Sequence, residues 1–304
     1  MEQSSEPASD NDWLLVRNAR QLLTLQGDSG PRRGLAMTQL GIVPNGALLI
    51  HKGVIEQIGT SRRVENLAGA RKARELDATN KVVLPAFVDT DAALVTPGMA
   101  DAEAEHEESS GLPASVSRKQ ATQRAAWIAA EFARYGTLSV GAHTRFAADI
   151  PAARKILRTH QTMQGRPLRI RSIFSPRLTA DSNSRFGNSA ESIINRWLSG
   201  VRKRKLSGLI ELNIDGNDEG EFQSTQRRSP APRSLLRAMA EAASGLGYAI
   251  RFRTSNCPEP GDLQLALGAG AVAFVSPLDR LRAFAGPCGW NRLRARNSGN
   301  GGIR

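Results

Sequence analysis

Short apolar runs alternate with longer amphipathic ones along most of this 304-residue chain, and that alternation restricts the fold more than any other feature. The run VVLPAFVDT, from Val82, is followed by a helical pattern from about Arg118 to Arg134, then by TLSVGAH, a helix from about Ile150 to Met163, and PLRIRSIFS. A helix near 190 to 204 leads to GLIELNID, a helix at Ser234 to Leu246 to YAIRFRT, and the helix DLQLALGAG to AVAFVS. In the helix from Ser234, residues Leu235, Leu236, Met239, Ala242, Ala243 and Leu246 share one face. Five βα repeats and a sixth strand predict a parallel sheet, open or closed into a barrel, because parallel strands need a crossover element between them. A closed barrel takes eight such units, typically about 250 residues. About 220 follow the leading segment, so the expectation is an α/β chain with an incomplete (β/α) barrel.

Residues 13–81 read differently. LLVRNARQLLTL, GALLIHKGVIEQIG and KVVLP are β-like runs separated by Gly, Pro and Asn, with Asn45-Gly46 and Lys52-Gly53 as the expected turns. They predict a small β-sandwich-like unit ahead of a partial barrel at 82–284. Residues 1–12 are acidic and polar and are expected to be disordered. The tail 285–304, within AGPCGWNRLRARNSGNGGIR, lacks apolar periodicity. It reads either as an unstructured basic extension or as the product of a reading frame lost near residue 284.

The formal net charge is +12, from 41 basic and 29 acidic residues. Its one dense cluster, Arg202-Lys203-Arg204-Lys205, has no aromatic interleaving, so a solvated basic face is expected rather than a nucleic-acid partner. No apolar run nears the roughly 20 residues that span a bilayer, and the N-terminus lacks the order of a signal peptide, so a cytoplasmic location without a membrane is expected. Cys257 and Cys288 have no metal-ligand or disulfide-framework spacing. No Gly-x-Ser-x-Gly elbow, phosphate loop or dinucleotide fingerprint is present.

In order along the chain, LLVRNARQLLTL, GIVPNGALLIHKGVIEQIG, LDATNKVVLPAFVDTDAALV and ASVSRKQATQRAAWIAAEFARYGTLSV resemble imidazolonepropionases, members of the metal-dependent amidohydrolase superfamily. ARKILRTH, PLRIRSIF, SLLRAMAEAASGLGYAIRF and LGAGAVAFV continue the resemblance to about residue 280. It implies an amidohydrolase-type TIM (β/α) barrel. It also implies hydrolysis of the cyclic C–N bond of 4-imidazolone-5-propanoate, in histidine degradation, by a water polarised on one divalent metal, zinc or iron. The family holds that metal with a His-x-His pair on strand one, a third His on a middle strand and an Asp on the last strand.

Here Asp91 and Ala93 occupy the positions of the pair and Arg253 that of the third His. A methyl group cannot ligate, and a permanent guanidinium repels a cation. A further active-site His falls at Ser276 or Pro277, a substrate-holding Tyr at Thr144-Arg145-Phe146, and another His near Leu178. The loop MADAEAEHEESSG is acidic where the family brings an Arg toward its substrate carboxylate. Asp215 stands where the family has a Glu that hydrogen-bonds the attacking water, or is an ordinary strand-end cap.

The chain has four histidines. His51 reads as an exposed strand residue. His106, within DAEAEHEE, reads as part of a solvated loop or of a carboxylate cation site. His143, at a strand end, is the candidate for surviving chemistry, together with Asp89 and Asp91 at the end of another strand. His160 reads as a cation favoured at a helix C-terminus. No metal cofactor is expected in this chain. A small-molecule substrate follows only from the resemblance, and an uncovered parallel strand edge favours a homodimer. Two functions stay open: a ring-opening amidohydrolase of the imidazolonepropionase kind, and a catalytically inactive pseudoenzyme or truncated relic with at most a binding role.

Overall fold

The computed structural model describes residues 12–27, 34–95, 117–145, 147, 150–165, 167–176, 190–215, 233–254 and 258–275. The chain divides into two compact units between Ala86 and Phe87.

The first unit is a single five-stranded sheet. Strands β1 (Trp13–Leu23), β2 (Ile42–His51) and β3 (Val54–Thr60) form an antiparallel meander, and β4 (Arg74–Asp77) and β5 (Val82–Val83) pair parallel to β1. Lys52 and Gly53 turn the β2–β3 hairpin with φ of 51° and 78°, as a tight turn with two positive φ values requires. Asn45-Gly46, the other expected turn, lies inside β2 instead. Asn45 takes a left-handed φ of 46°, and Gly46 lies against Leu22, whose Cβ would sit 2.4 Å from a methyl placed there. The buried Ser61 hydroxyl, at the start of the one-turn helix α1 (Ser61–Val64), bridges the two irregular strands. It accepts from the Asn18 N–H at 2.9 Å and donates toward the Asn45 carbonyl at 3.1 Å. Leu15, Ala47, Leu49, Val64 and Ala70 form the core on one face, Val16, Ala19, Leu22 and Ala78 that on the other.

Val82–Val83, read from sequence both as the last run of the leading unit and as the opening of the barrel strand, belongs to this small sheet. Pro85, without an N–H to donate, follows, and the parallel sheet begins at Phe87. That second unit orders its strands β11–β10–β9–β8–β7–β6, each parallel to its neighbour: β6 (Phe87–Ala92), β7 (Thr137–His143), β8 (Arg169–Phe174), β9 (Leu209–Asn213), β10 (Ala249–Arg253) and β11 (Ala273–Val275). Between them run α2 (Arg118–Arg134), α3 (Ile150–Thr162), α4 (Ala190–Lys203), α5 (Arg233–Gly245) and α6 (Pro260–Gly268). A capping box fixes the start of α2: the Ser117 hydroxyl accepts from the Gln120 N–H at 3.2 Å, and the Gln120 side chain accepts from the Ser117 N–H at 2.9 Å. The helix then sets Ala121, Ala125 and Ala129, one turn apart, on the core.

Strand alternation separates two environments. Ile210 and Leu212 of β9 and Ile250 and Phe252 of β10 join Leu236, Met239 and Ala243 of α5 in the apolar core. Glu211, Arg251 and Arg253 take the intervening positions and point the other way. On that face Arg251 donates to the Thr90 carbonyl of β6 at 2.7 Å. Strands four places apart on a flat sheet are about 19 Å apart, so the sheet curls, with its charged positions on the concave side.

Helices α4, α5 and α6 end alike. The N–H groups of Leu206, Tyr248 and Ala271 bond back to the carbonyls of Val201, Ala243 and Ala266 at 3.1, 3.0 and 3.0 Å, around a residue of positive φ. In two cases that residue is Gly247 or Gly270, as this helix stop favours. In the third it is Lys205, at φ 52°, which costs about 1 kcal/mol for a side-chain-bearing residue.

Phe252 is fully buried between β10 and the helices. Phe252→Ala is expected to destabilise the parallel-sheet unit by about 3–5 kcal/mol in denaturant unfolding.

Candidate functional site

The C-terminal ends of the parallel strands carry a buried ionic network. Asp91, near the end of β6, receives both guanidinium nitrogens of Arg145, at 3.0 and 3.1 Å, in a bidentate pair. It also accepts from Arg251 at 2.9 Å and from Arg253 at 2.5 Å. Glu211 of β9 accepts from Arg145 at 3.3 Å, from Arg251 and from the Ser175 hydroxyl at 3.1 Å. Arg145 lies just beyond β7, Ser175 just beyond β8, and Glu211 and Arg251 are register partners across β9 and β10. Glu211 is 1% exposed, Arg251 4% and Arg145 6%. Three guanidiniums against two carboxylates leave one positive charge in excess.

Local structure aims these groups. The Asp89 carboxylate accepts the Asp91 N–H at 2.8 Å, fixing the bend in which β6 ends. The Thr144 hydroxyl accepts the Ser175 N–H at 2.9 Å, tying the ends of β7 and β8. His143 is buried at 2% exposure, with its Nδ1 accepting the Arg145 N–H at 3.4 Å. In the neutral ring this puts the proton on Nε2.

The charges set the protonation states. Burial alone would raise the Asp91 carboxyl; hydrogen bonding to Arg145 and the fields of Arg145 and Arg253 offset it and hold the group at about 2. Burial pushes the His143 ring down to about 3, and Arg145 adds to that push against the opposing pull of Asp91. Asp91 is thus ionised and His143 neutral near pH 7.

The positions singled out in the sequence meet different fates here. Asp91 and Arg253 come together, but as an ion pair: Arg253 does not stand as a lone charge against a cation, it binds the carboxylate beside it. Ala93 lies just past β6 with a half-buried methyl. His143 and Asp89 share the strand ends with Asp91. Asp215 hydrogen-bonds the Thr254 hydroxyl, which lies 2.7 and 2.8 Å from its two oxygens. His51 is not a free strand residue; it stacks on Trp13 with ring centroids 4.1 Å apart. His160 is not a helix-end cation either: it is 1% exposed, and burial holds its ring at about 4, hence neutral. His106, Phe146, Leu178, Cys257, Cys288, Ser276 and Pro277 lie outside the described residues. Arg145 was marked only within the segment matching a substrate-holding Tyr, and Arg251, Glu211 and Ser175 were missed as site residues. The signal for two of them was present, a charge inside each apolar strand of LIELN and AIRFR.

This donor set does not fit a divalent cation. Both oxygens of Asp91 are engaged by guanidiniums, and a guanidinium has no lone pair to give. Among the described residues no group of three or more His, Cys, Asp or Glu is placed to hold a metal.

Six parallel strands with intervening helices and polar groups at the strand C-termini define an α/β protein of the incomplete (β/α)-barrel class. Molinate hydrolase shares this fold with a TM-score of 0.55 at 12% identity, covering 90% of this chain and 62% of that one. A mutant atrazine chlorohydrolase from Arthrobacter aurescens, complexed with zinc and atraton, does so at 0.50 and 13%, covering 93% and 58%. Within that class the chain is similar over most of its length to imidazolonepropionases, at 24–30% identity. The enzyme of Bacillus cereus is 30% identical over 285 residues, 86% of this chain and 63% of the relative. That of Solibacter usitatus is 28% identical over 276 residues, 84% and 63%. The chain thus spans under two thirds of the length of these relatives. No protein-family profile matches it. Among the described residues no helix is long and apolar enough to cross a membrane.

Two outcomes follow from the network. Glu211→Ala leaves Arg145 and Arg251 short of a buried counter-charge and is expected to destabilise by about 3–5 kcal/mol in denaturant unfolding. The pH response is the second. His143 and His160 bind protons at about 3 and 4 when folded, against 6.5 ordinarily, so their contribution is complete above about pH 6.5 and is lost as pH falls. Asp91, lowered from 3.8 to about 2, contributes above pH 3.8 and loses that contribution toward pH 2. All three terms carry one sign. The melting temperature is expected to fall from pH 7 to 4, less steeply in His160→Gln; a flat profile would refute the assignment.

Proposed function

We propose that this chain is a metal-free, non-hydrolytic relative of the imidazolonepropionases, in which a guanidinium–carboxylate network occupies the mouth where a hydrolase of this class would hold its catalytic ion. The single observation that carries this reading is the engagement of both Asp91 oxygens by Arg145, Arg251 and Arg253. A divalent ion in such a site supplies a water ionised near neutral pH. In its place the three arginines supply fixed charge and hydrogen-bond donors and no nucleophile. Neutral His143 lacks an ionised water to act upon. Its Nδ1 accepts the Arg145 main-chain N–H, a contact that orients the chain beyond β7.

The similarity to imidazolonepropionases supports the opposite reading, ring opening of 4-imidazolone-5-propanoate, and one experiment separates them. The protein is purified from medium supplemented with zinc and iron, its metal content is measured, and the loss of imidazolone absorbance is followed. The expected outcome is metal far below one ion per chain and decay no faster than in buffer. One ion per chain together with ring opening would overturn the proposal.

A further inference from the structure

The small five-stranded sheet has two apolar faces and, among the described residues, a second layer on only one of them. Val64, Leu67, Ala70 and Ala73, from α1 and the turns after it, cover Leu15, Ala47 and Leu49. The apolar side chains clustered on the other face all come from the strands themselves and from Ala78. We propose that this second face docks a second copy of the chain, which lays its own equivalent face against it to form a two-layer sandwich. The inference is independent of whether the barrel mouth is hydrolytic.

The strand register shows how continuous the face is, because directly opposite residues lie on the same side of a sheet. One row runs from Ile55 of β3 through Ile50 of β2 to Leu14 of β1, and ends at Arg74 of β4. The next crosses the same strands as Ile58, Leu48, Val16 and Leu76. A third joins Val43 and Leu22 to Val83 of β5. Ile55 is 52% exposed and Leu76 54%, while Leu14, Leu48, Ile50 and Ile58 are half-buried. Apart from Arg74 every position in the three rows is aliphatic, which is the kind of surface that one sheet packs on another.

Size is the first argument for a second copy. Four strand positions about 4.8 Å apart and about eight residues at about 3.3 Å make a face of roughly 19 by 26 Å, or about 500 Å². That is the scale of the apolar patches that mark interaction sites on soluble proteins. Two copies together cover about 1,000 Å², which reaches the lower bound of a specific interface.

Charge is the second. Arg74 stands at one edge of the first row, and at the other edge Glu56 is the extra residue of a bulge beside Ile55. Both are exposed. A two-fold axis parallel to the strands lays β3 of one copy over β4 of the other and keeps each row in place. Glu56 of each copy then meets the partner's Arg74, Ile50 lies over Leu14, and Ile58 lies over Leu76. An axis across the strands would instead lay the first row over the third and set Arg74 on an aliphatic residue, which leaves a charge desolvated without a partner. The face is therefore self-complementary in one arrangement.

The test is sedimentation equilibrium of the full chain over a range of concentrations. The expected result is a monomer–dimer equilibrium with a dissociation constant on the order of micromolar, as the modest area implies. Ile55→Lys and Leu76→Lys, at positions already half exposed, should each weaken the dimer about tenfold or more and leave the melting temperature of the dilute monomer unchanged. Glu56→Arg and Arg74→Glu should each weaken it about fivefold, and the double variant should return to within a few-fold of the parent. A chain that stays monomeric throughout, or a dimer indifferent to both lysine substitutions, would sink the proposal. A double charge reversal no tighter than either single variant would refute the two-fold packing.

Discussion

Asp91 accepts from three guanidiniums that come from two elements, one just past β7 and the other β10, and the second unit's concave face is organised around it. An ion pair reaching from β6 to β10 constrains the sheet in a way that neighbouring-strand hydrogen bonds do not, because it fixes curvature rather than spacing. Hydrophobic packing alone does not specify this. The apolar positions of β9 and β10 would cover the helices equally well on a flatter sheet, whereas Arg251 reaches Thr90 and Asp91 only if the strands close toward one another. Buried ion pairs are seldom net stabilisers relative to well-packed apolar groups. What the network contributes is a single curvature, enforced by the penalty of leaving any one of its charges unpaired.

A divalent metal in a barrel mouth also draws strand ends together through shared ligands. The network performs that structural part with inverted chemistry: the cations are now attached to the chain, and carboxylates from β6 and β9 are their ligands. The exchange is self-consistent at each position. A lone Arg253 would be an uncompensated buried charge, and a lone Asp91 on a face bearing Glu211 would be a second unpaired carboxylate. Together with Arg145 and Arg251 each is satisfied. Burial first, and then the charge of Arg145, keep His143 neutral beside the network.

The alternation of strands and helices was legible because its period lies within each segment. The helix expected over Arg118 to Arg134 has those bounds, and the other helices start and stop within a residue or two of the expected positions, guided by their glycines and apolar faces. Val82–Val83 was read both as the last run of the small unit and as the start of the barrel strand, because a two-residue apolar run carries no information about which sheet it joins. Asn45-Gly46 was misread for a related reason: a left-handed Asn and a crowded Gly serve an irregular strand as well as a turn, and only the packing of Leu22 distinguishes them. At the site, single positions such as Asp91 and Arg253 could be marked by resemblance, but their pairing could not. It depends on curvature that joins residues 162 positions apart. His160 shows the limit most plainly, since a histidine near a helix end reads as a surface cation until the burial of its neighbours is known.

The two ends of the parallel sheet obey opposite rules. At the C-terminal end charged side chains meet charged side chains, and an incoming ligand must break an existing pair before it can form a new one. At the N-terminal end His160 meets no described partner, and Lys205 sits at a position where its backbone would favour glycine. Binding free energy is the difference between interactions made and interactions given up. A site whose polar groups are already paired starts with that balance against it. In many barrel enzymes the strand C-termini carry the ligand and the N-termini carry stability. Here the paired charges at the C-terminal end carry a structural task of their own, since Arg251 reaches Thr90 and Asp91 only on a curled sheet.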